Sequence, residues 1–394
     1  MVLGCRLNTL HPGNNQTFSV GVTPRLLSQE RGDKKSNSLM ALHSIIVSVP
    51  ILTSVPRHST LYALHVPGMP KKILLDTDPG VVDAVALCMA MFDPTVEIVA
   101  LTSVGGNTSA AQAAKNLQAI VDFLDPPRLP RLGMGNTPDD GLPVDARHVY
   151  GIDGLGGTPL PVAELLTPHP AEKVICDAVR SDPDNVMVIC LGPLTNIARA
   201  FVRDPELPQL IRHLYISGGS VSAVGNVSPC AEFNIFADPA AAHTVFHARC
   251  TKTLVPLDAT NPILFTPAHL EQLPDEKGRL GALLRSMLSP ALHAYHECYG
   301  LKGIHIHDLI TYLAATNPSW TETREMSGDV ELDGTLTRGM TVFDQRNQPV
   351  WSNNMDVVVR VKEVEIKRQI INSLNAIAAQ MEIYPASSVH RFSD

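Results

Sequence analysis

No long basic run occurs in this sequence and its formal net charge is −8, which excludes a nucleic-acid surface, since neutralising phosphates takes clustered Lys and Arg. A CxxC pair is absent too. The seven cysteines, Cys5, Cys88, Cys176, Cys190, Cys230, Cys250 and Cys298, are odd in number and widely spaced, so zinc-type thiolate sites and a disulfide framework are both disfavoured. They read as reduced core residues of an intracellular protein, expected to be cytoplasmic. No internal repeat is visible, and no domain linker follows Met69. Charged residues are only 18% of the 394, against 44% hydrophobic, the balance of a globular chain with a large core. No membrane partner is expected.

The first 68 residues are poor in acids, with Glu30 and Asp33 alone, and lack periodic apolar pattern. Lys34-Lys35 followed by Leu39 to Val55 faintly resembles a targeting stretch, but Pro50, His43 and several serines interrupt it, and it is short for a span. Residues 1–68 are therefore read as a disordered extension, an organelle-targeting segment or the result of an upstream start codon. Residues 69–394 are read as one large domain. Of three N-glycosylation sequons, at Asn15, Asn107 and Asn226, the last two fall in motifs considered below, which argues against a secretory route.

What is present from Met69 onward is an alternation of short apolar runs and helical patterns. Lys71 to Leu75, Val96 to Val104, Asn185 to Leu191, His213 to Ser217 and Lys252 to Leu257 read as buried strands. Ala84 to Phe92, Ala110 to Phe123, Leu194 to Val202 and Pro239 to Phe246 read as helices, the last capped by Asp238 with Pro239 at its first position. A long helix over Leu280 to Tyr299, a late strand over Val357 to Val361 and a closing helix over Val364 to Met381 complete the pattern. The alternation predicts an α/β fold, an open, mostly parallel sheet with helices on both faces. Ligands in such folds bind beyond the carboxyl ends of the strands.

At one such end the stretch "DTDPGVVDA" sets Asp76, Asp78 and Asp83 around a Pro-Gly turn. Like charges beside a buried strand repel unless a cation or a shared proton compensates, and a hard metal ion is the first expectation. Four further polar clusters follow strands or open helices: Gly105-Gly106-Asn107, then "LGPLTN" from Leu191 to Asn196, then Asn226 with Glu232-Phe233-Asn234, then His307-Asp308. Each alone has a plainer reading. The acids suit a solvated turn, "GPLTN" a helix start, Glu232 and Asn234 a half-exposed edge strand, and His-Asp a helix cap. Together they point to one shared site.

As a set, "KKILLDTDPG", "GGN", "LGPLTNIA", "GNVSPCAEFNIFADPAAA" and "HIHD" resemble the inosine-uridine-preferring nucleoside hydrolase family, from about Met69 to the C-terminus and in family order. The resemblance implies hydrolysis of the N-glycosidic bond of nucleosides to ribose and free base, in purine and pyrimidine salvage, by a calcium-containing homodimer or homotetramer. It implies that Asp78, Asp83 and Asp308, with the carbonyl of Leu191, ligate Ca²⁺. Asp78 would take the proton of the attacking water, which Asn107 helps to hold. Asn226, Glu232 and Asn234 would bind sugar hydroxyls, as Asp308 borders them, and His307, with a pKa expected near neutrality, would protonate the departing base. Asp76 would support the cluster from behind.

Two positions depart from the family pattern. Val82 stands where an acid normally precedes Asp83 and contacts the ribose 2′-hydroxyl, and Tyr150, in the loop-like "HVYGIDGLGG", stands where a histidine is common. Val82 also suits packing into the sheet with Val81, Ala84 and Val85. Two rival readings follow: a non-catalytic nucleoside or ribose binder weakened by Val82, and a phosphatase using "DTD" as nucleophile and acid/base. The second needs a downstream Lys and another acidic pair, and no convincing equivalent is found.

Overall fold

The apolar runs become strands because both faces of the sheet are covered. In β1 (Lys71–Thr77), Ile73 and Leu75 enter one core and Leu74 the other, so alternate side chains are all buried and the run reads as continuously apolar. The computed structural model describes residues 70–137, 144–161 and 169–383, all within the compact unit His65–Asp394. Its strands continue as β2 (Val96–Ser103), β3 (Arg131–Met134), β4 (Val186–Cys190), β5 (His213–Ser217), β6 (Lys252–Val255), β7 (Leu264–Phe265), β8 (Ile304–His305), β9 (Thr321–Met326), β10 (Gly328–Val330), β11 (Thr341–Phe343) and β12 (Met355–Val361).

Among the described residues, eight strands form the main sheet in the order β3-β2-β1-β4-β5-β6-β12-β9. All neighbours are parallel except β12 and β9. β7 with β8 and β10 with β11 are separate antiparallel pairs. The helices α1 (Val81–Phe92), α2 (Ala110–Leu124), α3 (Arg147–Tyr150), α4 (Ala171–Ser181), α5 (Thr195–Arg203), α6 (Leu207–Leu210), α7 (Phe233–Ala237), α8 (Pro239–His247), α9 (Leu257–Thr260), α10 (Pro267–Leu270), α11 (Arg279–Tyr299), α12 (His307–Thr316) and α13 (Glu363–Ile383) complete the chain. One core is lined by α1, α2, α11, α12 and α13, the other by α4, α5 and α8. Helices thus lie on both faces, as the β-α alternation predicts.

Asp238 caps α8 as expected: its carboxylate accepts from the Ala241 N–H at 3.0 Å and Pro239 opens the helix. One local expectation is overturned. Glu232 and Asn234 are not on an extended edge; Glu232 is the N-cap of α7 and accepts the Ile235 N–H at 3.1 Å. Two polar residues spaced by one fit a strand and a cap equally, and burial against β5 selects the cap. β3, α4, α12 and the β9 edge strand have no counterpart in the sequence reading, and the strand expected over Lys252 to Leu257 stops at Val255, with Leu257 opening α9.

Candidate active site

Strand order reverses at the boundary between β1 and β4. The chain builds β2 and β3 on one side of β1 and then returns to lay β4 on the other, so the turns leaving β1 and β4 diverge and open a crevice. Asp78 follows β1, and Leu191 and Gly192 follow β4. Two glycines make room for the Asp78 carboxylate: a Cβ on Gly106 would stand 2.1 Å from its Oδ2 and one on Gly192 2.7 Å from its Oδ1. That is why "GGN" and "LGPLTN" carry glycine where they do.

The acids are held from several directions. Asp78 Oδ2 accepts the Asn107 N–H at 2.7 Å. The Asn107 side-chain amide donates to the Asp78 carbonyl at 3.0 Å and to Asp83 Oδ2 at 3.1 Å, tying the two acids together. Asp83, in the first turn of α1, also accepts from Gly80 N–H at 3.1 Å and from the Thr77 hydroxyl at 2.5 Å. Asp308 opens α12 and accepts from the Ser217 hydroxyl at 3.3 Å. Asp76 lies behind, wholly buried, and accepts from Thr102 and Asn196.

Burial pushes the Asp78 carboxyl well above the usual carboxylate range, and the charges nearest it, on Asp83 and Asp308, push it further. Burial and Asp83 do the same to Asp308. Burial raises Asp76 to about 7 against its hydrogen bonds from Asn196 and Thr102. Buried Asp78 and Asp83 with half-buried Asp308, whose charged neighbours are other carboxylates, fit a hard, oxygen-seeking dication, and the carbonyl of Leu191, which lines the same cavity, is a further oxygen donor. Among the described residues, the trio whose ligand atoms all lie within 4.8 Å is a different one, His243, His247 and Asp329.

Asp78 and Asp308 line a cavity of about 580 Å³ whose walls include Asn107, Asn226, Glu232, Asn234 and His307. Of the residues expected at the site, Asp78, Asn107, Leu191, Asn226, Glu232, Asn234, His307 and Asp308 line this one space, whereas Asp83 and Asp76 lie behind its wall. Glu232 Oε2 accepts from Gly219 N–H at 3.0 Å as well as from Ile235, and burial lifts its carboxyl to about 7. The Asn234 amide donates to the carbonyls of Leu191 at 2.7 Å and Ser217 at 3.1 Å. Asn226 Oδ1 accepts the Phe233 N–H at 2.8 Å.

The expectation of a near-neutral His307 is overturned. Burial, with a smaller push from His305, lowers it to about 3, so the ring is neutral at physiological pH. Its Nδ1 lies 2.7 Å from the Thr260 hydroxyl. The reading from sequence missed the aromatic part of the wall: His148, Tyr295, Tyr299 and His305. Tyr150 OH is 3.0 Å from Tyr295 OH, and His148 Nε2 is 2.6 Å from Tyr299 OH. The i, i+4 pair Tyr295 and Tyr299 on α11 was the available signal. Val82 is 3% exposed, packs in the core with Val81 and Val85, and is not among the described residues of the cavity wall.

A family model for inosine-uridine preferring nucleoside hydrolase matches residues 73–368. The chain belongs to the inosine-uridine preferring nucleoside hydrolase family. The phosphatase reading is thereby set aside. A probable uridine nucleosidase 1 of Oryza sativa is 34% identical over 277 residues, 70% of this chain and 85% of the relative. The inosine-uridine preferring nucleoside hydrolase of Leishmania major is 34% identical over 284 residues, 71% of this chain and 89% of its own. A solved structure, the purine-preferring ribonucleoside hydrolase of Gardnerella vaginalis, superposes with a TM-score of 0.73 at 27% identity, covering 78% of this chain and 99% of that one. The names of these nucleoside hydrolases span uridine, inosine and purine preference.

Proposed function

We infer that this chain is an N-ribosyl hydrolase that cleaves ribonucleosides to ribose and free base, and that its metal is Ca²⁺ held by Asp78, Asp83, Asp308 and the Leu191 carbonyl. Membership of the nucleoside hydrolase family supports the reaction. The observation that carries the metal is the mutual repulsion of Asp78, Asp83 and Asp308, of which Asp78 and Asp308 line the cavity. When bound, Ca²⁺ supplies an anchor for two vicinal hydroxyls and acidifies a water.

The remaining chemistry belongs to side chains. Asp78 takes the proton of the attacking water; the Asn107 N–H fixes its Oδ2 and leaves Oδ1 for the task. Glu232 uses Oε2 for the backbone, so Oε1 meets a ribose hydroxyl and the positive charge that develops on the sugar ring. Asn234 spends its NH₂ on two carbonyls, which aims the Leu191 oxygen and leaves its own Oδ1 to accept from the sugar. Asn226, its Oδ1 occupied, offers NH₂. His307 donates to the leaving base as a neutral ring. That role needs the proton on Nε2, and so a Thr260 hydroxyl that turns from the Pro256 carbonyl at 3.3 Å to donate to Nδ1 at 2.7 Å.

The aromatic wall takes the base. We place the activity in residues 69–394 and the protein in the cytoplasm as a homodimer or homotetramer. The six described cysteines are free thiols, and no described helix is long and apolar enough to cross a membrane.

The test is release of reducing sugar from inosine, uridine and a nitrophenyl riboside, after chelation and after return of Ca²⁺ or Zn²⁺. Activity restored by Ca²⁺ alone is expected. His307→Ala should lose ~10²-fold or more on inosine and far less on the nitrophenyl riboside, whose leaving group needs no proton. No sugar released, with nucleoside binding intact by calorimetry, would establish the non-catalytic binder instead.

A further inference from the structure

Helix α8 carries His243 and His247 one turn apart, so both rings leave the same face. They meet Asp329 of β10, which packs against α8. His243 Nδ1 lies 2.8 Å and His247 Nε2 3.0 Å from the same oxygen, Oδ1, of Asp329. The ring centroids are 4.4 Å apart, and the ligand atoms all lie within 4.8 Å of one another. We propose that His243, His247 and Asp329 form a second metal site, distinct from the carboxylate pocket, that takes a borderline transition-metal dication such as Zn²⁺.

The donor set decides the class of ion. Two imidazole nitrogens and one carboxylate are the ligands of choice for Zn²⁺ and its neighbours, whereas Ca²⁺ takes oxygen. Adjacent ligands of a tetrahedral zinc, at about 2.0–2.1 Å from the ion, stand roughly 3.3 Å apart. The two histidine-to-aspartate distances are within half an ångström of that, so small ring shifts admit the ion. The residues are partly exposed, with side-chain exposures of 39%, 52% and 34% for His243, His247 and Asp329. The ion therefore has an entry path, and water completes its coordination. Burial of Asp329 is outweighed by hydrogen bonds from the Val330 N–H and from the two histidines, which hold its carboxyl below the usual range and keep it anionic.

The plainer reading is an ion pair in which both rings donate N–H to one carboxylate. The two differ in a measurable way, because an ion pair needs a proton on each contacting nitrogen and a metal needs none there. The site also has a structural consequence. α8 follows α7, which Glu232 caps, and β10 pairs with β11, where Thr341 donates to the Ser220 carbonyl at 2.6 Å and accepts its N–H at 2.8 Å. Neighbouring Gly219 donates to Glu232. An ion bridging α8 and β10 braces the two elements behind Glu232 without touching substrate.

The full chain, held in excess Ca²⁺ so that the oxygen pocket is occupied, is titrated with Co²⁺ as a coloured stand-in for Zn²⁺. One equivalent should produce the intense visible absorption of four- or five-coordinate, nitrogen-ligated cobalt, and Zn²⁺ should bleach it. His247→Gln and Asp329→Asn should each weaken binding at least ~10- to 100-fold, the range that even a supporting partner of a metal ligand commands. Zn²⁺ should raise the melting temperature of the parent chain and of neither variant. No such band in the parent chain, or the same band and stoichiometry in the variants, overturns the site and leaves an ion pair. Because the band is read on the parent chain first, a variant that fails to fold does not protect the proposal.

Discussion

Strand β1 begins with two lysines and ends among aspartates, and its two ends treat charge in opposite ways. At the amino end Lys72 Nζ meets Asp182 at 2.6 Å, with side-chain exposures of 36% and 30%, and Lys71 donates to the Thr316 carbonyl. At the carboxyl end Asp76, Asp78 and Asp83 are buried, and the charges that act on Asp78 are acids. Charge that serves stability is paired at the surface, where it contributes little and risks little. The acids proposed to serve chemistry are buried against their own kind, an arrangement that a bound cation would compensate.

The largest expected effect breaks the carboxyl end. Asp78→Asn should lower kcat/KM on uridine or inosine ~10³-fold, since it removes the proposed base and weakens a proposed metal ligand. In chelator the same variant should melt at a higher temperature than the parent, because a repelling charge is gone. A lower melting temperature there would contradict the contrast between the two ends.

Val82→Asp sharpens it. Restoring the missing acid should raise kcat/KM on ribonucleosides about tenfold and widen the preference for ribose over deoxyribose, following ~1.4 kcal/mol per decade. It should also cost about 1–3 kcal/mol of stability, because the carboxylate enters an apolar cluster beside Asp83. If denaturant melts show the loss and sugar-release assays show no gain, Val82 serves packing alone.

The amino ends titrate in the opposite sense. His213 opens β5, stacks on Tyr215 and is pushed down to about 4, first by burial and then by Arg212. Its folded pKa lies below the unfolded ~6.5, so the unfolded chain binds the proton more readily. Stability should be unaffected above pH 6.5 and fall as pH drops toward 4. The loss should be about 1–2 kcal/mol, reduced from the full shift because the ring is partly exposed. Urea melts of His213→Gln should lack that component of the acid loss.

The smallest effect belongs to Lys72→Ala, which should cost at most about 1 kcal/mol and leave sugar release unchanged. A loss of activity in that variant would mean that the two ends of β1 are coupled.

Much of the frame was legible along the chain. β1, β2, β4 and β5 read from apolar runs because both faces of the sheet are covered, and α8 read from Asp238-Pro239 because a cap and a first-turn proline act locally. α12 passed unread, since "HIHD" leads into a run, Leu309 to Ala315, that lacks a polar face: it is buried on all sides. Glu232-Phe233-Asn234 was misread because three residues cannot separate a period of two from a cap followed by a turn.

Sequence by itself determined the sheet pattern, the acidic turn and the glycines beside it, all of which express local sterics and side-chain periodicity. Only the tertiary structure decided that Asp308 and Leu191, far along the chain, join Asp78 and Asp83, and that His243 and His247 converge on Asp329. It also decided that His307 is neutral, whereas the motif suggested a ring poised near pH 7. The reason is common to all three: solvent exclusion and proximity belong to the packed neighbours of a residue, and those neighbours are brought together only when the strand order closes.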